Sequence, residues 1–315
     1  MPEQEGLYYP DGSFKSKSDL IVENFSKPII EYDVPNRLVC SDWFEEANRR
    51  QDVKAEVTDV YNYAKIEIER DRPAFIGITS DWQIGQRVNY KLLQRDVDIM
   101  AHHPLVVGNL FVGDLTDSAN FNPAQDEEVL SFEEQRSMML SILDEIGKDR
   151  IMALWKGNHD HKWESKHGTS KYTGLSDKYE CPVFYGNSFI ELVINGNEPY
   201  RMVGSHQLRG SSIYNNAHPI VRAHREIQNL DIAFCGHTHR KGLIKQPTRS
   251  FAGANMIGGV VCGTYQISSE YSKDSGWGDM YDPEQGMWFM KLDHETKSVQ
   301  YLTTEEMLKE ASLYM

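Results

Sequence analysis

Short apolar segments that end in polar, ligand-type residues recur along this chain. One of them, residues 151–155, is an apolar run bounded by charge, which is typical of a short buried strand. Proteins of the α/β class commonly place their active sites at the carboxyl ends of such strands. The polar pentapeptide that follows this run fits a surface turn equally well, because short motifs match by chance. Its residues are Gly157, Asn158, His159, Asp160 and His161.

Four further predicted strands end in the same kind of residue. Carboxylate, amide and imidazole side chains at separate strand ends are suitable ligands for a pair of first-row divalent ions. An all-sulfur structural zinc site is excluded, because no cysteines cluster. Each motif by itself is more often structural, but five in one chain predict a metal centre. The residues that follow the other four strands are Asp81, Asp114, His206, and the pair His237 and His239.

The composition is typical of a soluble globular protein and limits the choice of partners. The chain has 315 residues, 40% hydrophobic and 25% charged, and no window approaches the ~18 apolar residues of a membrane helix. A net charge of −14 argues against a basic surface that grips long duplex nucleic acid. Bound divalent cations would still admit a nucleotide or a DNA end. The four widely spaced cysteines predict reduced thiols and a cytoplasmic protein without membrane association.

Strands and helices alternate along the chain after residue 70, and strands dominate towards its end, which predicts an α/β sandwich of two sheets. Amphipathic helices are predicted at 88–103, 131–147 and 219–229, with a short C-terminal helix at 304–313. Residues 42–70 also place apolar side chains near a 3.6-residue period. We therefore assign residues 1–70 to a partly helical N-terminal extension, packed on a main domain of residues 71–315.

Together, the five strand-end motifs resemble the pattern of the calcineurin-like metallophosphoesterase superfamily: D-x-H, GD-x-x-D/N, GNH-D/E, a lone H, and GH-x-H. The resemblance spans about residues 75–240. The segment SDWQIG, with a helical arm ahead of it, looks similar to phage-encoded members. In this chain the motifs are Asp81-Trp82-Gln83, Gly113-Asp114-Leu115-Thr116-Asp117, Gly157-Asn158-His159-Asp160, Ser205-His206 and Gly236-His237-Thr238-His239.

The resemblance implies a four-layer α/β/β/α sandwich, made of two mixed sheets flanked by helices, that binds two divalent metal ions. Asp81 and His239 would bind the first ion, and Asp114 would bridge both ions. His159 would bind neither ion; it would protonate the leaving oxygen, and Asp160 would orient it. The ligands implied for the second ion are Asn158, His206 and His237.

Gln83 departs from the family pattern, which has a histidine at this position of the first metal site. A glutamine carbonyl is a neutral oxygen ligand, better suited to Mn²⁺ or Mg²⁺ than to borderline ions. Either Gln83 binds through its amide oxygen, or fewer protein ligands hold the first ion. We expect a weaker first site and Mn²⁺ in preference to Zn²⁺, with Mg²⁺ and iron as further alternatives.

Two ions roughly 3.5–4 Å apart can share a bridging water, lower its pKa and clamp phosphoryl oxygens. We therefore expect a phosphoesterase in which a metal-bridging hydroxide attacks a phosphodiester of a nucleotide or a single-stranded nucleic acid. Proton donation by His159 would contribute ~10²–10⁴-fold in rate. The same site would also serve a phosphomonoesterase. The alternative from another class is a catalytically inactive metal-binding scaffold, which Gln83 favours. A phage-encoded enzyme would act in the host cytoplasm.

Three further residues are candidates for substrate binding. Asp117 lies three positions past the bridging aspartate, where a solvated loop position is equally compatible with the sequence. Arg209 and Arg240 lie near the histidine motifs and could bind phosphate bidentately, whereas a solvated surface is the simpler interpretation. Residues 275–281 are rich in glycine and aromatic residues, which suits either a base-stacking loop or a plain surface loop. The sequence leaves the oligomeric state open.

Overall fold

The computed structural model describes residues 29–32, 62–118, 128–210, 212, 214–250, 253–267 and 285–315. In these ranges the chain alternates between strands and helices before residue 180 and is rich in strands afterwards. The strands are β1 Ile29–Tyr32, β2 Asn62–Ile68, β3 Ala74–Thr79, β4 Val106–Val112, β5 Ile151–Trp155, β6 Val183–Phe184, β7 Ser188–Ile194, β8 Tyr200–Ser205, β9 Ile232–Cys235, β10 Gly242–Ser250, β11 Gly253–Val261, β12 Trp288–Leu292 and β13 Val299–Leu302. The helices are α1 Tyr90–His102, α2 Phe132–Ile146, α3 Asn158–His167, α4 Leu175–Tyr179, α5 His218–Glu226 and α6 Thr304–Ala311.

The described strands form two sheets, and both sheets are mixed. In the six-stranded sheet, with the order β13-β12-β3-β4-β5-β6, strands β3 to β6 run parallel, and β12 is antiparallel to both of its neighbours. In the seven-stranded sheet, with the order β1-β2-β7-β8-β9-β11-β10, strands β8, β9 and β11 run parallel. The pairs β7–β8 and β10–β11 of that sheet are antiparallel.

Four layers follow from the way apolar side chains divide between the two faces of each sheet. Along β3, Phe75 packs in the cluster formed with the helices, while Ile76 and Ile78 pack against the other sheet, as alternation along a strand requires. Helices α1 and α2 cover the outer face of the six-stranded sheet, and α5 covers that of the seven-stranded sheet. Between the sheets, the rings of Trp155 and Phe234 meet edge to face with centroids 5.3 Å apart. The predicted four-layer sandwich of two mixed sheets is therefore confirmed.

The strands of the six-stranded sheet that carry candidate ligands are covered on both faces. Every residue of β3, β4 and β5 is buried, which explains why the sequence has near-continuous apolar runs there rather than alternation. These three strands lie side by side and parallel in one sheet, as β8 and β9 do in the other. The loops after their carboxyl ends contact one another, so five strand ends converge on one edge of the sandwich.

The structure of residues 62–68 differs from the sequence-based prediction. The helix predicted over 42–70 is wrong for Asn62–Ile68, which form strand β2 with Ala64, Ile66 and Ile68 buried in alternation. Strand β2 pairs with β1 and β7. The seven-stranded sheet therefore includes residues ahead of the domain boundary that we placed at residue 71. Apart from β1, the part of the predicted extension before residue 62 lies outside the described residues.

The other predicted helices are confirmed as α1, α2, α5 and α6, with ends that differ by a few residues. Helix α2 begins after Ser131, which forms a capping box with Glu134, and it ends at Gly147 with a φ of 79°. Among the described helices, none has the length and apolar character needed to cross a lipid bilayer. The candidate loop at 275–281 lies outside the described residues.

Candidate metal centre

The polar motif after β5 forms the first turn of helix α3 rather than an open turn. Gly157 is the N-cap residue, with extended backbone dihedrals. Its main-chain N–H donates to Oδ2 of Asp160 at 2.8 Å, which satisfies one of the unpaired N–H groups at the start of a helix. This cap fixes where the helix begins. Asn158 and His159 are thereby placed at the edge where the five strand ends converge.

The residues proposed for the second metal ion lie together. Nδ1 of His206 donates to the carbonyl oxygen of Val112 at 2.7 Å, which leaves Nε2 free as a ligand atom. That Nε2 lies 3.0 Å from Oδ2 of Asp114 and 3.0 Å from Oδ1 of Asn158. Nδ1 of His237 lies 2.6 Å from the same Asn158 oxygen. Four different strand ends thus supply ligand-type atoms to one small volume.

The residues proposed for the first metal ion form an adjacent group. Oδ2 of Asp81 accepts a hydrogen bond from the main-chain N–H of His237 at 2.9 Å. The other oxygen, Oδ1, lies 3.2 Å from Nε2 of His239. The carboxamide of Gln83 lies beside the same histidine, with Nε2 of Gln83 3.4 Å from Nε2 of His239. Gln83 therefore lies next to His239 in this group.

Two buried oxygens in the first group test whether a metal fits. Oε1 of Gln83 is buried and has no hydrogen-bond partner among the described residues, and buried Oδ1 of Asp81 has the imidazole of His239 beside it at 3.2 Å. An unsatisfied buried acceptor costs about 1–3 kcal/mol, more when it is charged. A divalent cation would satisfy both oxygens. The donor set contains only nitrogen and oxygen atoms, which suits hard or borderline first-row ions. The residues present fit the ions that the motif pattern implies.

Charges within the group favour ionised carboxylates and protonated imidazoles at His206 and His239 when no metal is bound, whereas burial and His206 lower the pKa of His237. Burial opposes ionisation of Asp114, but His206 and His159 outweigh it and lower the pKa of Asp114. In the same way His206 and His239 lower the pKa of Asp81 against the effect of burial. Burial opposes a charge on His206, yet Asp114 and Asp81 raise its pKa to about 10. A metal ion that binds Nε2 of His206 would therefore replace the proton on that atom.

The candidate ligands occupy unusual backbone conformations. Nine non-glycine residues among the described ones have positive φ, and five of them are candidate ligands. Such conformations are uncommon outside glycine and cluster at functional sites. They turn the side chains towards one point directly after each strand, where a regular extension of the strand would not. The five residues are Asp81, Gln83, Asp114, His237 and His239.

Two glycines permit the loops to approach the carboxylates closely. A Cβ atom on Gly157 would lie 1.9 Å from Oδ1 of Asp114, and one on Gly236 would lie 2.5 Å from Oδ2 of Asp81. Real Cβ atoms do not come so close, so a larger residue would displace the carboxylate or the loop. The GNH and GH-x-H motifs therefore need glycine at these positions, because there is no room for a side chain beside the ligand carboxylates.

The imidazole of His159 is held by Asp117. Nδ1 of His159 donates to the main-chain carbonyl oxygen of Asp117 at 2.5 Å, and the carboxylate Oδ1 of Asp117 is 3.3 Å away. Nε2 of His159 lies 3.9 Å from Oδ2 of Asp114. We predicted that Asp160 would orient His159, but Asp160 instead caps α3 and forms an ion pair with Lys171. The orienting contact belongs to Asp117.

The three candidate substrate residues differ in their surroundings. Asp117 is buried, with 2% exposure, and accepts a hydrogen bond from Nε2 of Gln86 at 2.8 Å. Burial raises the pKa of Asp117, opposed by His159. Arg209 is exposed and Arg240 is partly buried, each on a loop that also carries a candidate ligand histidine. Asp117 is therefore placed by the structure next to His159 rather than in open solvent.

Sequence reasoning missed two residues that support the site. Oγ of Ser80 lies 2.7 Å from Oδ2 of Asp81, and its position just before the ligand was a usable signal. Lys171 is buried, with 2% exposure, after the end of α3. No local pattern distinguishes this lysine from its exposed neighbours.

No family model matches the sequence, and no curated protein matches it either. Solved structures similar to this one include vacuolar protein sorting 29 from Cryptosporidium parvum, with 12% identity, a TM-score of 0.35, and coverage of 74% of this chain and 100% of that one. Nuclease MPE from Pseudomonas putida has 12% identity, a TM-score of 0.31, and coverage of 72% and 87%. Hypothetical protein PH1004 from Pyrococcus horikoshii has 9% identity, a TM-score of 0.37, and coverage of 76% and 93%.

Proposed function

We propose that this protein is a dinuclear metal-dependent phosphoesterase that hydrolyses a phosphodiester of a nucleotide or a single-stranded nucleic acid. One observation carries the proposal. Oδ1 of Asn158 lies 3.0 Å from Nε2 of His206 and 2.6 Å from Nδ1 of His237, with Oδ2 of Asp114 3.0 Å from His206. This set of atoms from separate strand ends directly adjoins the first-ion group.

Asp81, Gln83 and His239 would hold one ion, Asn158, His206 and His237 the other, and Asp114 would serve both. Divalent ions at this place would lower the pKa of water and offset the charge of the phosphoryl oxygens. Mn²⁺ is the proposed ion because the donor set is rich in oxygen and includes a neutral carboxamide. The net charge of −14 favours a small or single-stranded substrate over duplex DNA.

His159 would supply the proton for the leaving oxygen. A carbonyl oxygen only accepts, so Nδ1 of His159 carries the hydrogen that binds Asp117, and Nε2 is the atom that can hold a transferable proton. Nε2 is also the ring atom near the ligand group, 3.9 Å from Oδ2 of Asp114. The ring is thus fixed in tautomer and direction before substrate binds.

The test is hydrolysis of bis-p-nitrophenyl phosphate and p-nitrophenyl phosphate by the Mn²⁺-loaded protein. We expect faster turnover of the diester. For methyl phenyl phosphate, whose phenolate leaves poorly without a proton, we expect His159→Ala to lose about 10²–10⁴-fold in kcat with Mn²⁺ binding retained. A faster monoester rate would replace the diesterase by a phosphomonoesterase. No hydrolysis of either ester, with Mn²⁺ bound, would leave the metal-binding scaffold as the function.

A further inference from the structure

Lys171 is a charged side chain in the protein interior. It is 2% exposed. Its Nζ lies 2.8 Å from Oδ1 of Asp160, in an ion pair whose two side chains are each 1% exposed. The same ammonium donates to the hydroxyls of Thr116 and Ser118. Three oxygens therefore surround a group that has three N–H donors.

A buried charge of this kind needs its partners. Taking an ammonium and a carboxylate out of water carries a penalty of several kcal/mol per ion, which only close contacts with good geometry offset. Hydrophobic residues of similar volume often stabilise a fold as well or better. Folding stability alone therefore gives little reason for Lys171, and the identity of its contacts is the informative feature.

Each oxygen that Lys171 contacts belongs to a sequence neighbour of the His159–Asp117 pair. Asp160 directly follows His159 on helix α3, and Thr116 and Ser118 flank Asp117 on the segment after β4. One ammonium group thus ties the start of α3 to that segment. The distance between Nδ1 of His159 and the carbonyl oxygen of Asp117 depends on how these two elements are placed relative to each other.

We propose that Lys171 is a positioning residue that keeps His159 aimed at the leaving oxygen; the inference rests on the proposed phosphoesterase function. Lys171 contacts no candidate metal ligand in its ion pair or hydrogen bonds. Its loss therefore acts through the start of α3. An effect on Asn158 lowers the rates on all substrates by one factor, whereas an effect on His159 is largest on substrates whose leaving group needs a proton. A misplacement of about 1 Å can lower a rate by ~10²-fold.

Lys156 offers a matched control. It is 7% exposed, and its Nζ lies 2.6 Å from Oε1 of Glu164, an acid of the same helix α3. It also binds the hydroxyl of Tyr185, whose ring centroid lies 3.8 Å away, and it lies 5.9 Å from the ring centroid of Tyr172. Lys156→Met therefore removes a buried lysine and its ion pair with an acid of α3 without touching Thr116 or Ser118.

The experiment compares Lys171→Met with Lys156→Met in the Mn²⁺-loaded full-length protein. The substrates are methyl p-nitrophenyl phosphate and methyl phenyl phosphate, because phenolate leaves poorly without a proton and p-nitrophenolate leaves readily. We expect Lys171→Met to lower kcat for the phenyl ester roughly 10–100-fold more than for the p-nitrophenyl ester. Lys156→Met is expected to change both rates by the same factor.

Two further measurements complete the test. In a His159→Ala background, Lys171→Met should produce no additional selective loss, since residues that act as a unit are not additive. Thr116→Val keeps the ion pair between Lys171 and Asp160 and removes the Thr116 hydroxyl that Lys171 binds. It should lower kcat selectively for the phenyl ester, by less than Lys171→Met does, and it replaces Lys171→Met if that variant does not fold. An equal loss of kcat on both esters, in the variant that folds, overturns the positioning role of Lys171 and leaves the proposed phosphoesterase function standing. Absence of hydrolysis by the parent protein overturns the proposed function and this inference with it.

Discussion

Nδ1 of His159 lies 2.5 Å from the main-chain carbonyl oxygen of Asp117, closer than the 3.3 Å to the carboxylate of that residue. A substitution at position 117 therefore removes only the weaker of two contacts. We expect Asp117→Asn to lower kcat about tenfold, less than the ~10²–10⁴-fold expected for His159→Ala. Kinetics with methyl phenyl phosphate, whose leaving group needs a proton, would measure both losses, with Mn²⁺ binding unchanged. Equal losses would mean that the carboxylate, rather than the carbonyl, holds the ring.

Gln83 makes the first metal site tunable by substitution. Its carboxamide lies 3.4 Å from Nε2 of His239, and Oε1 has no hydrogen-bond partner among the described residues. Gln83→His should raise Zn²⁺ affinity by about tenfold, equivalent to about 1.4 kcal/mol, and should raise Mn²⁺ affinity less. Gln83→Ala should weaken one of two sites in a calorimetric titration. Gln86→Ala, which alters a buried glutamine of the same loop, should leave both sites unchanged; a matching loss there would contradict a ligand role for Gln83.

The ionisation of His206 makes the folding stability of the metal-free protein depend on pH. Its pKa is raised to about 10 by Asp114 and Asp81 against the effect of burial, and it is about 6.5 in an unfolded chain. The folded state therefore keeps a proton that the unfolded state loses. The resulting stabilisation is fully present below about pH 6.5 and is lost as pH rises through about 10. We expect the melting temperature of the metal-free protein to fall over this window more than that of His206→Gln.

The same proton must leave when a metal binds. Mn²⁺ binding at pH 7.5 should release protons, and affinity should rise with pH, because ligand imidazoles bind metals in the neutral form. Calorimetry in buffers of different ionisation enthalpy measures this release. A binding enthalpy that does not depend on the buffer would contradict a protonated His206.

Gly157 tests the spatial requirement at the bridging carboxylate. A methyl group there would lie 1.9 Å from Oδ1 of Asp114, so Gly157→Ala should abolish Mn²⁺ binding and destabilise the fold by about 1–3 kcal/mol. Gly168→Ala, at the other end of α3, is the control. Gly168 has a φ of 66° and no atom within 4 Å of an added Cβ. That control should cost about 1–2 kcal/mol, because alanine is strained at this φ, and leave metal binding intact.

The sequence predicted the strands of the site because their burial leaves a direct trace in composition. A strand covered on both faces is an apolar run, and the ligand residues follow it at once. The prediction missed strand β2 for a related reason. The alternation of buried residues at Ala64, Ile66 and Ile68 covers only a few positions. A helical period of 3.6 residues fitted the whole of 42–70, so these positions were predicted as part of a helix. A short strand after a helix-like pattern has no boundary that periodicity alone can locate.

The roles of Asp117 and Asp160 show a second limit. The resemblance to the family pattern implied that Asp160 orients His159, but consecutive helix residues do not face one another. Asp117 lies far from His159 in sequence and reaches it through a main-chain carbonyl, which no side-chain motif reports. The burial of Lys171 is likewise decided by hydroxyls more than 50 residues away. Such contacts depend on how strand ends are brought together, which only the fold determines.

The positive φ values at five candidate ligands set a direction for engineering this protein. A non-glycine residue in this region carries strain of the order of 1–3 kcal/mol, which the surrounding sheets must absorb. Glycine at Asp81 or His237 would relax the backbone while deleting a ligand. A screen for heat resistance alone would therefore tend to collect substitutions at these positions and yield sturdier proteins that no longer bind metal.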